Sequence, residues 1–433
     1  MGQPVVFWFR RDFRLEDNAG LYYALKSGAP VRCLFIFDTS ILERLEDRDD
    51  ARVDFIHQAV TSLKQQLQAV GSDLDVRVGQ PLEVWKDVLA QWNPLAVYAN
   101  EDYEPYARQR DAAIQNLLRE AQITFYRAKD HVVFRPDEVL KPDGKPYTVF
   151  TPYSKVWKAQ LNDFYLKPYP TQSYLGALDA FEGAAMPAHA ALGFEESNLA
   201  FPQTNPQKEI LERYHEHRDL PAIAGTSRLS VHFRFGTISI RAWAQQGRAL
   251  NEKWLNELIW RDFYQMILWH FPETPTKSFK PAYDKIEWER DEAHFEAWQQ
   301  GKTGYPLVDA GMRELLTTGF MHNRVRMVVA SFLCKHLLLD WRWGERWFAR
   351  KLLDFEQASN VGGWQWAAGS GNDAAPYFRV FNPTLQLQKF DPQLEYVKKW
   401  VPEWGTPEYP QPIVEHTWAR NRALDRFQKG LSQ

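Results

Sequence analysis

The sequence predicts an α/β unit built on a parallel sheet, followed by an all-helical unit, and three features of the chain predict it. In the first 130 residues, short apolar runs alternate with amphipathic helical stretches, the rhythm of parallel strands joined by crossover helices. From about Pro206 onward the apolar positions recur at helical spacing. Between the two, residues 131–205 are frequent in Pro, Gly and Ala and show little periodicity, as expected of a connector that wraps the surface. The expected division is 1–130, 131–205 and 206–433.

Taken in order, the strands are expected at 5–9, 31–37, 74–78, 95–98 and 123–126, each a short apolar run of the kind a doubly covered strand shows. Segments 51–70 and 107–121 read as covering helices. Neither GxGxxG nor GxxxxGK[ST] occurs, which excludes the dinucleotide and P-loop fingerprints. A nucleotide-like ligand at the strand ends would still suit the architecture.

Composition narrows the function classes. The 433 residues are 45% apolar and 25% charged, so a disordered or fibrous chain is excluded. A net charge of −3 argues against a histone-like nucleic-acid coat but leaves room for a local basic patch. All but four of the 18 tryptophans lie after residue 200, more than core packing usually needs, although large core aromatics would account for most of them. Two cysteines, Cys33 and Cys334, exclude a disulfide scaffold and any four-Cys zinc or iron–sulfur site, and no metal is expected. No signal peptide and no membrane span are evident in the sequence, so a cytoplasmic protein is expected.

Four constellations carry chemistry. Thr226, Ser227, Arg228, Leu229 and Ser230 gather hydroxyls, amides and a cation at a helix start, which suits an anion; a plain capped helix reads the same way. Glu257, Trp260, Arg261 and Tyr264 fall at i, i+3, i+4 and i+7, one helical face fit for a flat, polar-edged ligand or, equally, for a wet surface. Asn323 and Met327 lie one turn apart, an amide for a base edge and a polarizable apolar contact, with His322 more often structural than catalytic in such a place. The fourth runs from Asp354 through Glu356 and Asn360 to Gly362, Gly363, Trp364 and Trp366; paired glycines inside a helical stretch suggest close approach of a large ligand.

With these residues on the page, the chain resembles the photolyase/cryptochrome family. The resemblance runs from FWFRRDFRLEDNAGL to NPTLQLQKFDP and includes TSRLS, WLNELIWRDFY, GKTGYPLVDAGMR, MHNRVRM and NVGGWQWAAGSGNDAAPYFR in the family order. Its bacterial class I branch, which acts on cyclobutane pyrimidine dimers, is the most similar. The resemblance implies a Rossmann-like α/β antenna domain and a helical domain that holds FAD, functional as fully reduced anionic FAD. It places Tyr214, Thr226, Ser227, Arg228, Leu229, Ser230, Trp254, Arg326, Asp354, Glu356 and Asn360 around that cofactor, with Arg326 and Asp354 paired beside the ring and Asn360 facing flavin N5. Glu356 stands where the family more often has Asp, and Val361 departs from Asn-Asn-Gly-Gly.

The same resemblance implies the lesion site. Glu257 would hydrogen-bond the dimer, Asn323 would take a base edge, Trp260 and Trp366 would form the walls, and Met327 would close the side. Arg324, Arg379, Gln386 and Arg261 would contact double-stranded DNA, and Trp364, Trp341 and Trp288 would relay electrons from the surface. A bacterial, nucleoid-associated monomer is implied. A second antenna chromophore is open between deazaflavin, flavin and folate; Glu104-Pro105-Tyr106 resembles the members that use a deazaflavin or flavin, or no antenna. A cryptochrome sensor would share the fold but lose the lesion contacts. A six-four photolyase would carry His at positions 323 and 327, and the single-strand-preferring branch Gln at 327.

Overall fold

The structure, a computed structural model, describes residues 2–432. The chain forms two compact units, one holding the residues up to 139 with 156–205 and 228–249, the other holding 140–155, 206–227 and 250 onward. The expected connector is therefore shared between the two, and residues 228–249, expected with the helices, belong with the sheet.

The first unit is a five-stranded parallel sheet in the order β3-β2-β1-β4-β5, with β1 (Val5–Phe9), β2 (Val31–Asp38), β3 (Leu74–Gly79), β4 (Ala96–Asn100) and β5 (Thr124–Ala128). VVFWF of β1 is buried along its whole length because it lies between two neighbours and under helices on the sheet faces. β5, at the edge, is largely exposed. Helix α1 (Ala19–Leu25) packs close enough that a Cβ on Gly20 would meet the Phe7 ring at 2.8 Å. Helices α2 (Ala51–Ala69), α3 (Pro81–Trp92) and α4 (Pro105–Glu120) cover the sheet, and Trp8, Leu34 and Val97 pack on Trp85 and Ile114. Pro105 occupies the first turn of α4, where a missing N–H costs nothing, which gives Glu104-Pro105-Tyr106 a structural reason.

Charge explains why 228–249 joins this unit. Asp130 is fully buried; it accepts from Arg14 at 2.7 Å and from Arg241 at 2.8 Å, and Arg241 reaches Asp17 at 2.9 Å. The two guanidinium groups hold the Asp130 carboxyl well below its usual range, outweighing its burial. Such a network is strongly destabilised when one member is lost.

The second unit is helical. It includes the first turns of α5 (Phe150–Gln160), a helix within the expected connector, then α6 (Glu252–His270), α7 (Pro306–Thr318), α8 (Asn323–Ser331), α9 (Trp341–Lys351), α10 (Gln357–Ala368) and α11 (His416–Leu431). Its core gathers Trp298, Met312, Phe332, Trp341, Trp364 and Val397. GKTGYPLVDAGMR is structural: buried Asp309 accepts from Thr303 N–H at 2.7 Å, Gly304 N–H at 3.0 Å and the Tyr409 hydroxyl at 2.6 Å. Among the described residues, no helix is long and apolar enough to cross a membrane.

Candidate active site

Helix α6 starts at Asn251, whose side chain caps Lys253 N–H at 2.9 Å, and this sets the rotation that presents Glu257, Trp260 and Tyr264 together. Trp260 is half-buried. Arg261, expected from sequence at the DNA, is 9% exposed and grips Glu356 with two hydrogen bonds, Nε to Oε2 at 2.9 Å and Nη2 to Oε1 at 2.8 Å, a buried ion pair. Glu356, itself 6% exposed, is spent on that pair.

Glu257 accepts from Arg218 at 2.5 Å, with Tyr214 beside it under the Arg218 guanidinium. Arg218 borders Asp219, which holds Arg324 at 2.8 Å. Burial pushes the Glu257 carboxyl above its ordinary value, Arg218 pulls it back, and Asp219 adds to the rise. A third of the side chain remains accessible. The result is a carboxyl made less acidic by burial, held by Arg218 on one side and open on the other.

Helix α8 begins with His322 as its cap: the ring nitrogen Nδ1 accepts from Arg324 N–H at 3.2 Å, a structural role. Asn323 is exposed in the first turn, and Met327, one turn on, touches the Arg324 guanidinium at 3.6 Å. Arg326 donates to Asp354 at 3.0 Å and to the Met321 carbonyl at 2.7 Å. On α10, the Asn360 amide donates to Glu345 twice, at 2.9 Å to Oε1 and 3.1 Å to the backbone carbonyl. Both amide hydrogens are thereby committed, and Oδ1 is left as an acceptor. Burial pushes the Glu345 carboxyl up, opposed by the Asn360 hydrogen bond.

The paired glycines divide in role. A Cβ on Gly362 would meet the Tyr264 ring at 2.2 Å, so this glycine lets α10 close on α6, a close approach of protein and not of a ligand. A Cβ on Gly363 would meet nothing within 4 Å. Val361 is buried in the helix packing.

Trp364 and Trp341 are buried, 2% and 0% exposed, with indole N–H groups that have no hydrogen-bond partner among the described residues, while Trp288 is half-buried. Gly344 brings α9 against α10: a Cβ there would lie 2.0 Å from the Trp364 ring. Trp366 is half-buried, Arg379 exposed, and Gln386 half-buried on the helix Pro383–Phe390. The Trp254 indole donates to Ser227 Oγ at 3.3 Å. Thr226 and Ser227 lie in the helical unit; Arg228, Leu229 and Ser230 lie in the sheet unit, Arg228 with a left-handed backbone at φ 52°. Arg218, Glu345 and Phe150, which touches Trp260, were missed from sequence because their partners are 15 to 110 positions away and no local pattern marks them.

The helical unit fits a large, polar-edged cofactor. Asn256 Oδ1 is buried without a partner among the described residues, and the Arg326–Asp354 pair and Asn360 Oδ1 offer a donor and an acceptor.

Comparison with known proteins agrees. Residues 254–429 match the family model described as the FAD binding domain of DNA photolyase, and residues 5–173 match that of DNA photolyase. The deoxyribodipyrimidine photo-lyase of a Synechococcus strain is 38% identical, over 96% of this chain and 94% of its own. The class III photolyase of Agrobacterium tumefaciens superposes with a TM-score of 0.87 at 32% identity, covering 100% of this chain and 98% of its own. The archaeal photolyase of Sulfolobus tokodaii, solved with two FAD molecules, gives 0.85 at 34%, covering 98% and 100%. This chain belongs to the DNA photolyase family.

Proposed function

We propose that the protein repairs cyclobutane pyrimidine dimers in DNA, using light and bound FAD. The observation that carries the reading is the Glu257 face of α6: a carboxyl anchored by Arg218 at 2.5 Å with a third of its side chain accessible, one turn from the half-buried plane of Trp260, and made less acidic by burial. A neutral dimer that transiently takes up negative charge needs apolar walls and one hydrogen-bond donor, and this face offers both.

Reduced FAD, when bound, supplies the photoexcited electron and takes it back after the ring has opened. Thr226 and Ser227 with Trp254 would hold it on one side, and Arg326, Asp354 and Asn360 on the other; Asn360 Oδ1, oriented by Glu345, would face the ring. Glu257 would donate to the dimer as it gains charge. Asn323 would bind a base edge, Trp260 and Trp366 would wall the two pyrimidines, and Met327 would close the side. Extrusion of the target nucleotide is a general habit of enzymes that act on bases, photolyases among them. Arg324, Arg379 and Gln386 would meet the DNA. Trp288, Trp341 and Trp364 would pass an electron inward from the surface. The protein would act as a monomer on double-stranded DNA in the cytoplasm. A second chromophore of flavin or deazaflavin type would serve as antenna in the sheet unit, in line with the second FAD of the Sulfolobus protein.

The test is repair of an oligonucleotide carrying one thymine dimer by purified protein with reduced FAD. Repair is expected under blue light only. Stoichiometric FAD with no repair under light would contradict the reading and favour a sensor.

A further inference from the structure

We propose that Phe150 is a positioning residue of the lesion site: it sets the plane of Trp260 and ties that wall to the turn that follows Trp366. The inference rests on the reading of Trp260 and Trp366 as the two walls.

The Phe150 ring lies against the Trp260 ring with centroids 3.6 Å apart and planes 3° from parallel. Near-complete overlap is the arrangement that aromatic quadrupoles favour least; offset or edge-on pairs are preferred. The overlap is therefore imposed by what holds the two rings, and the anchors are identifiable. Phe263 meets both rings edge-on, at 5.8 Å from Phe150 and 5.7 Å from Trp260, each at 77°. Phe150 N–H, in the first turn of α5, donates to Asp373 Oδ2 at 3.0 Å. A carboxylate at that place satisfies a helix-start donor and suits the helix dipole. Two residues earlier, the Thr148 carbonyl accepts from Asn372 Nδ2 at 3.1 Å.

Asn372 and Asp373 belong to the turn that leaves α10 at Gly369, three residues after Trp366. The strap 148–150 thus runs from one wall to the backbone that carries the other. Phe150 covers one face of Trp260, and the indole stays half-buried, so part of it remains for a ligand. Lesion selectivity depends on the separation and tilt of the walls, and a strap tied at both ends keeps these constant before DNA arrives.

The measurement is dark-state affinity of the FAD-loaded protein for an oligonucleotide with one thymine dimer and for the same oligonucleotide undamaged. Phe150→Leu is expected to lower the damaged-over-undamaged ratio roughly 3- to 10-fold, the size of one lost aromatic pair, with undamaged affinity and FAD content kept. Phe150→Tyr is expected to restore the ratio. An unchanged or higher ratio in Phe150→Leu, equal loss on both DNAs, or no rescue by Tyr would overturn the proposal. If Phe150→Leu does not retain FAD, Asp373→Ala decides: a lowered ratio supports the strap, an unchanged one overturns it. Wild-type protein that fails to prefer damaged DNA would instead refute the functional reading on which the strap depends.

Discussion

Replacing Arg261 by Met separates a buried structural cation from a DNA contact. The Arg261 guanidinium is bound twice by Glu356, and the two residues are 9% and 6% exposed. Removing it leaves the Glu356 carboxylate buried opposite an apolar chain, which costs about 3–5 kcal/mol. At roughly 2–4 °C per kcal/mol, the melting temperature of the FAD-bound protein falls on the order of 10 °C. Replacing the pair together, Arg261→Met with Glu356→Leu, removes the stranded charge and recovers most of that stability. A cation that neutralises one phosphate contributes about 0.9 to the slope of log K against log salt, and Arg261→Met is expected to leave that slope unchanged. The assays are thermal melts of the single and double variants and a salt titration of DNA binding. Full stability in Arg261→Met together with a slope lowered by about 0.9 would refute the assignment.

Three other outcomes follow from the same geometry. Gly362→Ala drives a methyl into the Tyr264 ring and is expected to cost about 1–3 kcal/mol, whereas Gly363→Ala, with open space around it, gains about 0.8–1.0 kcal/mol of helix stability in the FAD-free protein; paired denaturant melts distinguish the two. The raised Glu257 pKa means that its hydrogen-bond-donating form prevails below that value and is lost as pH rises through it, so repair yield should decline on the alkaline side. Glu257→Gln, a permanent donor, should flatten that decline, and a wild-type profile with no alkaline fall would exclude a protonated Glu257. Trp288→Phe should abolish photoreduction of oxidised FAD while chemically pre-reduced protein still repairs; loss of repair there would remove Trp288 from the relay.

The five strands were legible to within two residues because each is a short, mostly apolar stretch rich in β-branched and aromatic residues, continuous in β1 and interrupted by Asp75 and Arg77 in β3, and such a local pattern does not depend on distant partners. What escaped was set by distant partners. Residues 228–249 carry a helical pattern like those after them, and it takes distant partners to place them with the sheet: Arg241 pairs with Asp17 and Asp130, Arg234 with Glu104, and the Gly236 carbonyl accepts from Arg14. Arg261 lies on the α6 face with Glu257 and Trp260, but spacing along one helix cannot reveal a carboxylate 95 positions away. Gly362 and Gly363 look alike in sequence and differ only in what a Cβ would meet. The orientation of Asn360 depends on Glu345 of another helix, and Phe150 lies in a stretch whose prolines hide the helix that begins there.

The central claim is that the Glu257–Trp260 face receives the dimer within reach of bound FAD. A crystal structure of the FAD-loaded protein with a dimer-containing duplex, kept dark, measures this directly. The account predicts the dimer outside the helix stack, between Trp260 and Trp366, with Glu257 within hydrogen-bond distance of a pyrimidine carbonyl. A dimer still stacked in the duplex, or bound away from Glu257, would contradict it.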